Sequence, residues 1–244
     1  MCGRYASSRD AGDLADEFEV DQLRIDALLP KSWNVAPTDP VYAVLDRPPR
    51  PDRPRERQLR ELTWGLVPSW AKDARIGSRL INARMETVAD KPAFKRAFAA
   101  KRCLLPADGY YEWYETEQPA TGKAGRRAKQ PFFIRPADGG VLAMAGLYEI
   151  WRDPRRPDDD PHPFRWTCTI ITTNAEDSLG RIHDRMPLMV ERERWDEWLD
   201  PTTPATLDLL VPAAPGRLTA YPVTTLVNNV KNNGPELVEP LEVS

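Results

Sequence analysis

Residues that commonly bind metals are scarce in this chain. Among its 244 residues it has two histidines, His162 and His183, and three cysteines. No two cysteines form a Cys-x-x-Cys pair, and structural zinc sites depend on such paired spacing. We therefore expect no metal and no cofactor. The odd set of Cys2, Cys103 and Cys168 also excludes a simple disulfide framework and is typical of a reducing cytoplasm.

A long apolar run and an excess of positive charge are also absent. No segment approaches the ~20 apolar residues that span a bilayer, and the N-terminus lacks the pattern of a secretory signal. We expect a cytoplasmic monomer with no membrane contact. The formal net charge is −3, so any contact with nucleic acid must come from a local basic surface.

The chain contains enough hydrophobic residues to form a large core, and charged loops separate the hydrophobic segments. Hydrophobic residues make up 41% of it, with eight tryptophans. Three stretches rich in proline and charge predict exposed loops, at about residues 46–60, 116–130 and 152–163. Proline removes a donor from a strand ladder, so core strands are not expected there. We interpret these loops as insertions within one domain, residues 1–244.

The segments between these loops predict a mixed fold. Their β-branched and aromatic content favours strands at residues 41–45, 62–67, 103–113, 132–135, 142–148, 167–173 and 188–190. Apolar spacing favours helices at residues 10–18, 91–101 and 191–199. In the last helix, Trp195 and Trp198 are expected to lie in the core. The fold class is therefore α+β, built around antiparallel sheet.

The second residue of the chain is a cysteine, Cys2. If Met1 is removed, Cys2 carries a free α-amine and a thiol separated by two carbons, a pair that no internal residue offers. An α-amine titrates near pH ~7.7–8.0, well below a lysine near ~10.4, so it is a useful nucleophile at neutral pH. Such an aminothiol condenses with an aldehyde to an imine, and the thiol then closes a thiazolidine ring.

Five internal segments combine polar residues with constrained flanks: residues 32–37, 62–70, 81–87, 108–113 and 182–187. Each residue in them also has an ordinary structural interpretation. Asn34 and Asn82 can satisfy backbone groups in turns, and Arg84 can pair with Glu86. Glu112 can point to water while its aromatic neighbours fill the core.

Together these segments resemble one family. The motifs are Met1-Cys2-Gly3-Arg4, Asn34-Val35-Ala36-Pro37, Trp64-Gly65-Leu66-Val67-Pro68-Ser69-Trp70, Ile81-Asn82-Ala83-Arg84-Met85-Glu86-Thr87, Gly109-Tyr110-Tyr111-Glu112-Trp113, His183-Asp184-Arg185-Met186-Pro187 and the tail Asn228-Asn229-Val230-Lys231-Asn232-Asn233-Gly234. In this order they resemble the SOS response-associated peptidase (SRAP) family, from Cys2 to about Pro240. The resemblance implies a single SRAP-like domain with a curved, mostly antiparallel β-sheet or barrel core and flanking helices.

The resemblance also implies a function in the DNA damage response. Members of the family sense abasic sites in single-stranded DNA and link to them covalently through the N-terminal cysteine, which shields the lesion. The implied catalytic residues are Cys2, Asn82, Glu112 and His183. Glu112 would move protons, Asn82 would hold the sugar, and His183 would act on the sugar hydroxyl or on reversal of the crosslink. Bound to DNA, the protein would be associated with the nucleoid.

A further set of motif residues is implied to contact DNA: Arg4, Asn34, Pro37, Trp64, Trp70, Arg84, Thr172 and Met186. Arginine forks match phosphate oxygens. Tryptophan faces can stack on bases, and we expect both Trp64 and Trp70 to be exposed for this purpose.

Two other functions remain open from the sequence. A thiol autopeptidase could use the same residues to remove Met1, a hydrolase activity that can coexist with lyase-like capture of abasic sites. A non-covalent module for binding single-stranded DNA would need the aromatic residues and arginines but neither Cys2 nor Glu112.

Overall fold

The computed structural model of this chain describes residues 2–48, 54–115, 129–175, 177–212 and 214–242. Most of its regular structure is β-strand. The strands are β1 (Tyr5–Ser7), β2 (Gln22–Arg24), β3 (Ser32–Val35), β4 (Pro40–Arg47), β5 (Glu56–Trp64), β6 (Asn82–Arg84), β7 (Arg102–Ala107), β8 (Gly109–Glu115), β9 (Lys129–Pro136), β10 (Leu142–Arg152), β11 (Phe164–Asn174), β12 (Arg185–Pro187) and β13 (Leu218–Pro222). The helices are α1 (Ala11–Glu17), α2 (Lys95–Ala100), α3 (Asp177–Gly180) and α4 (Trp195–Leu199).

Five of the strands close into a barrel. Antiparallel pairing joins β5 to β4, β4 to β7, β7 to β10 and β10 to β11. A parallel pairing of β11 with β5, at Cys168↔Trp64, completes the circle. Side chains alternate across each strand, so every second residue points inward. The predicted α+β class and the mostly antiparallel barrel core are confirmed.

The barrel interior is apolar and includes two of the three cysteines. Cys103 and Cys168 are fully buried among inward residues such as Leu105 and Ile170, so both are core residues. The outer face of the barrel packs against α1, α2 and α4 in a second cluster. Trp195 and Trp198 belong to that cluster, as predicted.

A second sheet packs at one side of the barrel, in the strand order β13-β9-β8-β1-β3. Tyr5, Tyr110 and Ile134 on one face join the cluster inside the barrel. Tyr111 and Phe133 on the other face pack beneath the C-terminal tail. Strand β8 thus has one face toward the barrel, and this orientation determines where its polar residues lie.

The prediction of a loop at 46–60 is wrong at both ends. Strand β4 continues to Arg47 and β5 begins at Glu56. These charged residues can enter the strands because Arg57 pairs with the buried Asp46, at 3.1 Å between Nε and Oδ1. Residues 49–53, and residues 116–128 of the second predicted loop, lie outside the described residues. The third predicted loop forms turns between β10 and β11.

Several other boundaries also differ from the prediction. The strand predicted at 103–113 is two strands, because the chain bends at Asp108. Gly109 follows, where a Cβ atom would lie 2.5 Å from the ring of Phe133. Helix α2 is shorter than predicted and begins at Lys95. The strands β1, β2, β3, β6, β12 and β13 were not predicted, because each is short and lacks a run of strand-forming residues. The strand predicted at 188–190 is wrong: these residues follow β12 and contain only an isolated bridge at Met189. In the described part of the chain, no helix is long and apolar enough to cross a membrane.

Candidate active site and nucleic-acid interface

Cys2 is fully buried where β1 enters the second sheet. The side chain of Asn82, at the start of β6, donates from Nδ2 to the carbonyl oxygen of Cys2 at 2.7 Å. Strand β6 is held in place by parallel pairing with β11, at Asn82↔Ile170. The other amide atom, Asn82 Oδ1, is buried without a hydrogen-bond partner among the described residues. Asn82 therefore fixes Cys2 and keeps one acceptor available.

Glu112 lies on β8, on the face that points toward the barrel. It shares this face with Tyr110, two residues earlier, and only 3% of it is exposed. The interpretation that Glu112 points to bulk water is wrong. Burial raises the pKa of Glu112 above its usual range, and the charge of the neighbouring His183 offsets part of this rise. A carboxyl group with a raised pKa can both donate and accept a proton near neutral pH.

His183 lies in the turn before β12, opposite Glu112. Its Nδ1 accepts a hydrogen bond from the backbone N–H of Arg185 at 3.0 Å. The same atom lies 3.0 Å from Asp184 Oδ1, an ion pair only when the imidazole is protonated. In the neutral ring the proton therefore sits on Nε2. Glu112 and His183 line one cleft of about 580 Å³, together with Trp113, Lys129 and Asn228.

The structure thus gathers the four predicted catalytic residues at one place. Asn82 donates a hydrogen bond to Cys2. The charge of Glu112 raises the pKa of the Cys2 thiol, and His183 lowers the pKa of Glu112. Burial, followed by the negative charge of Glu112, raises the pKa of the Cys2 thiol, so the thiol is protonated at neutral pH. In the described part of the chain, no group of three or more His, Cys, Asp or Glu residues is arranged to hold a metal.

Four residues of the predicted DNA-contact set are buried: Asn34, Trp64, Thr172 and Met186. Trp64 is fully buried, and its indole N–H donates to the carbonyl of Ile81 at 2.9 Å. The expectation that Trp64 is exposed is therefore wrong, because the residue fills the barrel interior beneath the motif. Thr172 and Met186 lie in the pairing of β11 with β12, opposite Pro187 and Thr173 respectively.

The side chains of Arg4 and Asn34 are hydrogen-bonded to the C-terminal tail. Arg4 Nη1 donates to Asn34 Oδ1 at 2.7 Å and to the carbonyl of Val227 at 3.0 Å. Asn34 Nδ2 donates to the carbonyls of Asn232 at 2.8 Å and Asn229 at 3.0 Å. In this structure both side chains tie the N-terminal strands to the tail motif.

The remaining three residues of that set are accessible. Arg84 is exposed at the end of β6, and its guanidinium makes no hydrogen bond or ion pair within the described residues. Trp70 is 57% exposed, with its indole N–H 3.4 Å from the carbonyl of Pro92. Pro37 is half-buried. An unpaired guanidinium and an exposed indole are suited to a phosphate and a base.

Sequence reasoning missed two residues of this region. Arg185 forms a bidentate pair with Glu86, at 2.6 and 3.0 Å, and also donates to the Thr172 carbonyl at 2.6 Å. The ion pair of Glu86 is therefore with Arg185 and not with Arg84, the partner that the sequence suggests. Lys129 lines the cleft and pairs with Glu115 at 3.1 Å. Arg185 was visible inside the His-Asp-Arg-Met-Pro motif, whereas Lys129 carries no sequence signal.

The fold and this site define a class: an α+β barrel protein whose second residue, a cysteine, is buried beside an asparagine and a carboxyl group of raised pKa. The chain belongs to the SOS response associated peptidase (SRAP) family, whose model matches residues 1–230. It is 39% identical over 242 residues to "Abasic site processing protein YoqW" of Bacillus subtilis, covering 98% of this chain and 99% of that one.

A further relative agrees with this assignment, and a solved structure shares the fold. The chain is 33% identical over 251 residues to "Abasic site processing protein YedK" of Escherichia coli, covering 99% of this chain and 100% of that one. A crystal structure of a protein from Bacteroides thetaiotaomicron has the same fold, with a TM-score of 0.80 at 24% identity over 98% of this chain and 100% of that one.

Proposed function

We propose that this protein captures abasic sites in single-stranded DNA covalently, through the amine and thiol of Cys2 after Met1 is removed. The observation that carries the proposal is the contact of Cys2 with Asn82 beside the buried Glu112. Membership of the SRAP family, and relatives named for abasic-site processing, support the same conclusion.

The reaction proceeds in two steps, imine formation and ring closure. The Cys2 amine adds to the aldehyde of the ring-opened sugar, and loss of one water leaves an imine with a C=N bond. The thiol then adds across that bond: a C–S bond forms, and the thiol proton ends on nitrogen. The product is a five-membered thiazolidine. Because burial keeps the Cys2 thiol protonated, the amine reacts first.

Glu112 supplies the proton transfers that these steps need. Its raised pKa lets the carboxyl protonate the departing oxygen and then accept a proton from nitrogen. Asn82 Oδ1, buried without a hydrogen-bond partner among the described residues, accepts a hydrogen bond from a sugar hydroxyl or from the amine. His183, which lines the cleft, acts on the sugar hydroxyl or on reversal of the crosslink.

The two alternatives account for less of the site. A thiol peptidase needs a thiolate as its nucleophile. The raised pKa of the Cys2 thiol lowers the fraction of thiolate at neutral pH. Removal of Met1 by the protein itself is compatible with capture, as a maturation step that precedes it. A passive binding module gives no reason for burying a carboxyl group next to an N-terminal cysteine.

The test is a denaturing gel of protein with single-stranded DNA that contains one abasic site. Intact mass first establishes that Met1 is absent. Wild type is expected to give a heat-stable shifted band, and Cys2→Ala none. Cys103→Ala is the matched control, since Cys103 lies in the barrel interior, and it should retain the band.

A second DNA, with a tetrahydrofuran residue in place of the abasic site, offers no aldehyde and should give no band. A band with this DNA, or with Cys2→Ala, would contradict the proposed chemistry. No band with processed wild type would favour the peptidase or the passive binding module.

A further inference from the structure

A recess that no catalytic residue lines adjoins the candidate active site. Its volume is about 480 Å³, and it is lined by Tyr114, Phe132, Leu179, Ile182 and Leu218, with Arg181 among the lining residues. Most of its wall is therefore apolar or aromatic. The proposed capture chemistry does not use any of these side chains.

The recess continues the sheet face that carries Glu112. In the pairing of β8 with β9, Phe132 lies directly opposite Glu112, and directly opposite residues share a face of the sheet. Tyr114 is two residues beyond Glu112 on the same strand, so its side chain also points to that face. The recess therefore borders the position at which the proposed function places the DNA strand.

The opposite wall continues from His183. Ile182 precedes His183 directly, and Leu179 is joined to this turn by hydrogen bonds from the backbone N–H groups of Ile182 and His183 to its carbonyl, at 2.8 and 3.2 Å. The two catalytic side chains and the two walls of the recess are thus parts of the same segments. A ligand group next to the reacting sugar enters the recess without a change in the fold.

The lining matches the chemistry of a nucleotide. Tyr114 and Phe132 form an edge-to-face pair, with ring centroids 6.4 Å apart at 81°, and Tyr114 remains 37% exposed. Arg181 is exposed and makes no hydrogen bond or ion pair within the described residues. Aromatic rings stack on bases of any sequence, and an unpaired guanidinium binds a phosphate oxygen.

We propose that this recess, given the function proposed above, holds the base of the nucleotide next to the abasic residue, with Arg181 on the neighbouring phosphate. The recess is then a positioning subsite: it aligns the aldehyde with Cys2 by holding the adjacent base. It adds no specificity for one base, because stacking tolerates all four.

The test compares rates of covalent capture for matched DNA strands. One strand has ordinary nucleotides on both sides of the abasic site. In two others, the nucleotide on the 5′ side or on the 3′ side is a tetrahydrofuran residue, which keeps the phosphate, lacks a base and cannot react. Removing the base on one of the two sides should slow capture by wild type roughly 5–20-fold, the lower range for base–aromatic stacking.

Substitutions of Tyr114 test whether the dependence of the capture rate on the flanking base arises from the recess. Tyr114→Ala should capture the complete strand more slowly and lose most of the dependence on the flanking base, whereas Tyr114→Phe should keep it. Phe164→Ala is the matched control, because Phe164 is 52% exposed at the start of β11 and does not line the recess. This variant should behave as wild type.

The outcomes separate the subsite from the function on which it rests. Capture by wild type at equal rates on all three strands would overturn the subsite and leave the proposed function standing; another apolar group would then fill the recess. A flanking-base effect that persists in Tyr114→Ala would also overturn it. The absence of capture on every strand would remove both proposals.

Discussion

Asn34 and Asn82 both lie on short strands near the N-terminal segment, yet their amide groups are used in opposite ways. The oxygen of Asn34 accepts from Arg4, and its nitrogen donates to carbonyls of the tail. Asn82 donates to Cys2, while its buried oxygen has no hydrogen-bond partner among the described residues. Buried polar atoms are normally satisfied. Asn34 therefore holds the fold, whereas in the function proposed above the free oxygen of Asn82 accepts a hydrogen bond from the DNA.

The same contrast extends to the two regions around these residues. Around Asn34, hydrogen bonds join the N-terminal strands to the tail. Around Asn82, a thiol and a carboxyl group are buried where burial disfavours their charged forms. Such groups lower stability, and buried groups with shifted pKa values are the pattern expected of a reactive site.

The largest expected effect is on the rate of capture in Glu112→Gln. Glutamine keeps the size and the burial but cannot transfer a proton, so capture should slow by roughly 10²–10⁴-fold. The measurement is a single-turnover time course on denaturing gels. Glu115→Gln is the control, because Glu115 lies on the same strand, pairs with Lys129 and is exposed. An unchanged rate in Glu112→Gln would remove Glu112 from the mechanism.

The same variant should be more stable than wild type at neutral pH. Burial raises the pKa of Glu112 in the folded protein above its ordinary value of 4.5. As pH rises through the unfolded value, only the unfolded chain ionises, so wild type loses stability until the folded pKa is passed. Glutamine has no such dependence. The stability gain of Glu112→Gln should therefore be absent near pH 3 and present at pH 8, as measured by denaturant unfolding.

On the other side of the contrast, Asn34→Ala should lower stability. It removes one acceptor of the Arg4 guanidinium and the side-chain donor to two tail carbonyls, and each unsatisfied buried group costs about 1–3 kcal/mol. We expect a loss of about 2–3 kcal/mol in the free energy of unfolding from denaturant titration. Capture per folded molecule should change by less than roughly 3-fold. A large loss of capture in fully folded Asn34→Ala would place this residue in the site instead.

The sequence grouped four polar residues that the structure brings together, whereas it placed several strand boundaries wrongly. Cys2, Asn82, Glu112 and His183 carry reactive groups inside motifs, and the structure places them together. The motifs could not distinguish a residue that contacts a ligand from one that supports it. Trp64 and Trp70 share one motif, yet only Trp70 is exposed, because the closure of the barrel through β5 and β11 is a long-range contact.

The strand boundaries failed for a related reason. Residues 56–60 have the composition of a loop, but Arg57 finds Asp46 across the β4–β5 pair. Short strands such as β6 exist only because β11 offers an edge to them. Tertiary pairing of this kind outweighs local propensity.

Asn82→Ala should have an intermediate effect, and it should fall on capture rather than on stability. Losing one hydrogen bond to the sugar or the amine corresponds to about 1–1.5 kcal/mol, or roughly 10-fold in rate. Because one amide atom has no partner to lose, the free energy of unfolding should fall less than in Asn34→Ala. If Asn82→Ala lost as much stability as Asn34→Ala and kept the wild-type capture rate, Asn82 would be a structural residue like Asn34.

Arg84→Ala should give the smallest effect, and it extends the contrast to the two arginines of the motifs. Arg4 is bonded to Asn34 and Val227, whereas Arg84 is exposed without a partner in the described part of the chain. Loss of one phosphate contact should weaken binding to single-stranded DNA a few-fold and make the salt dependence of log K shallower by about 0.7. Fluorescence anisotropy at several salt concentrations measures both quantities.

The control for Arg84→Ala is Arg192→Ala, which removes the same charge from an exposed residue paired with Glu17 and Glu19. If Arg84 touches a phosphate, only its removal changes the slope, because counterion release depends on contacts and not on net charge alone. If both variants change the slope equally, the effect comes from the overall field of the protein. The exposed guanidinium beside Asn82 would then be an ordinary surface charge, and the DNA path would have to be sought along Trp70 instead.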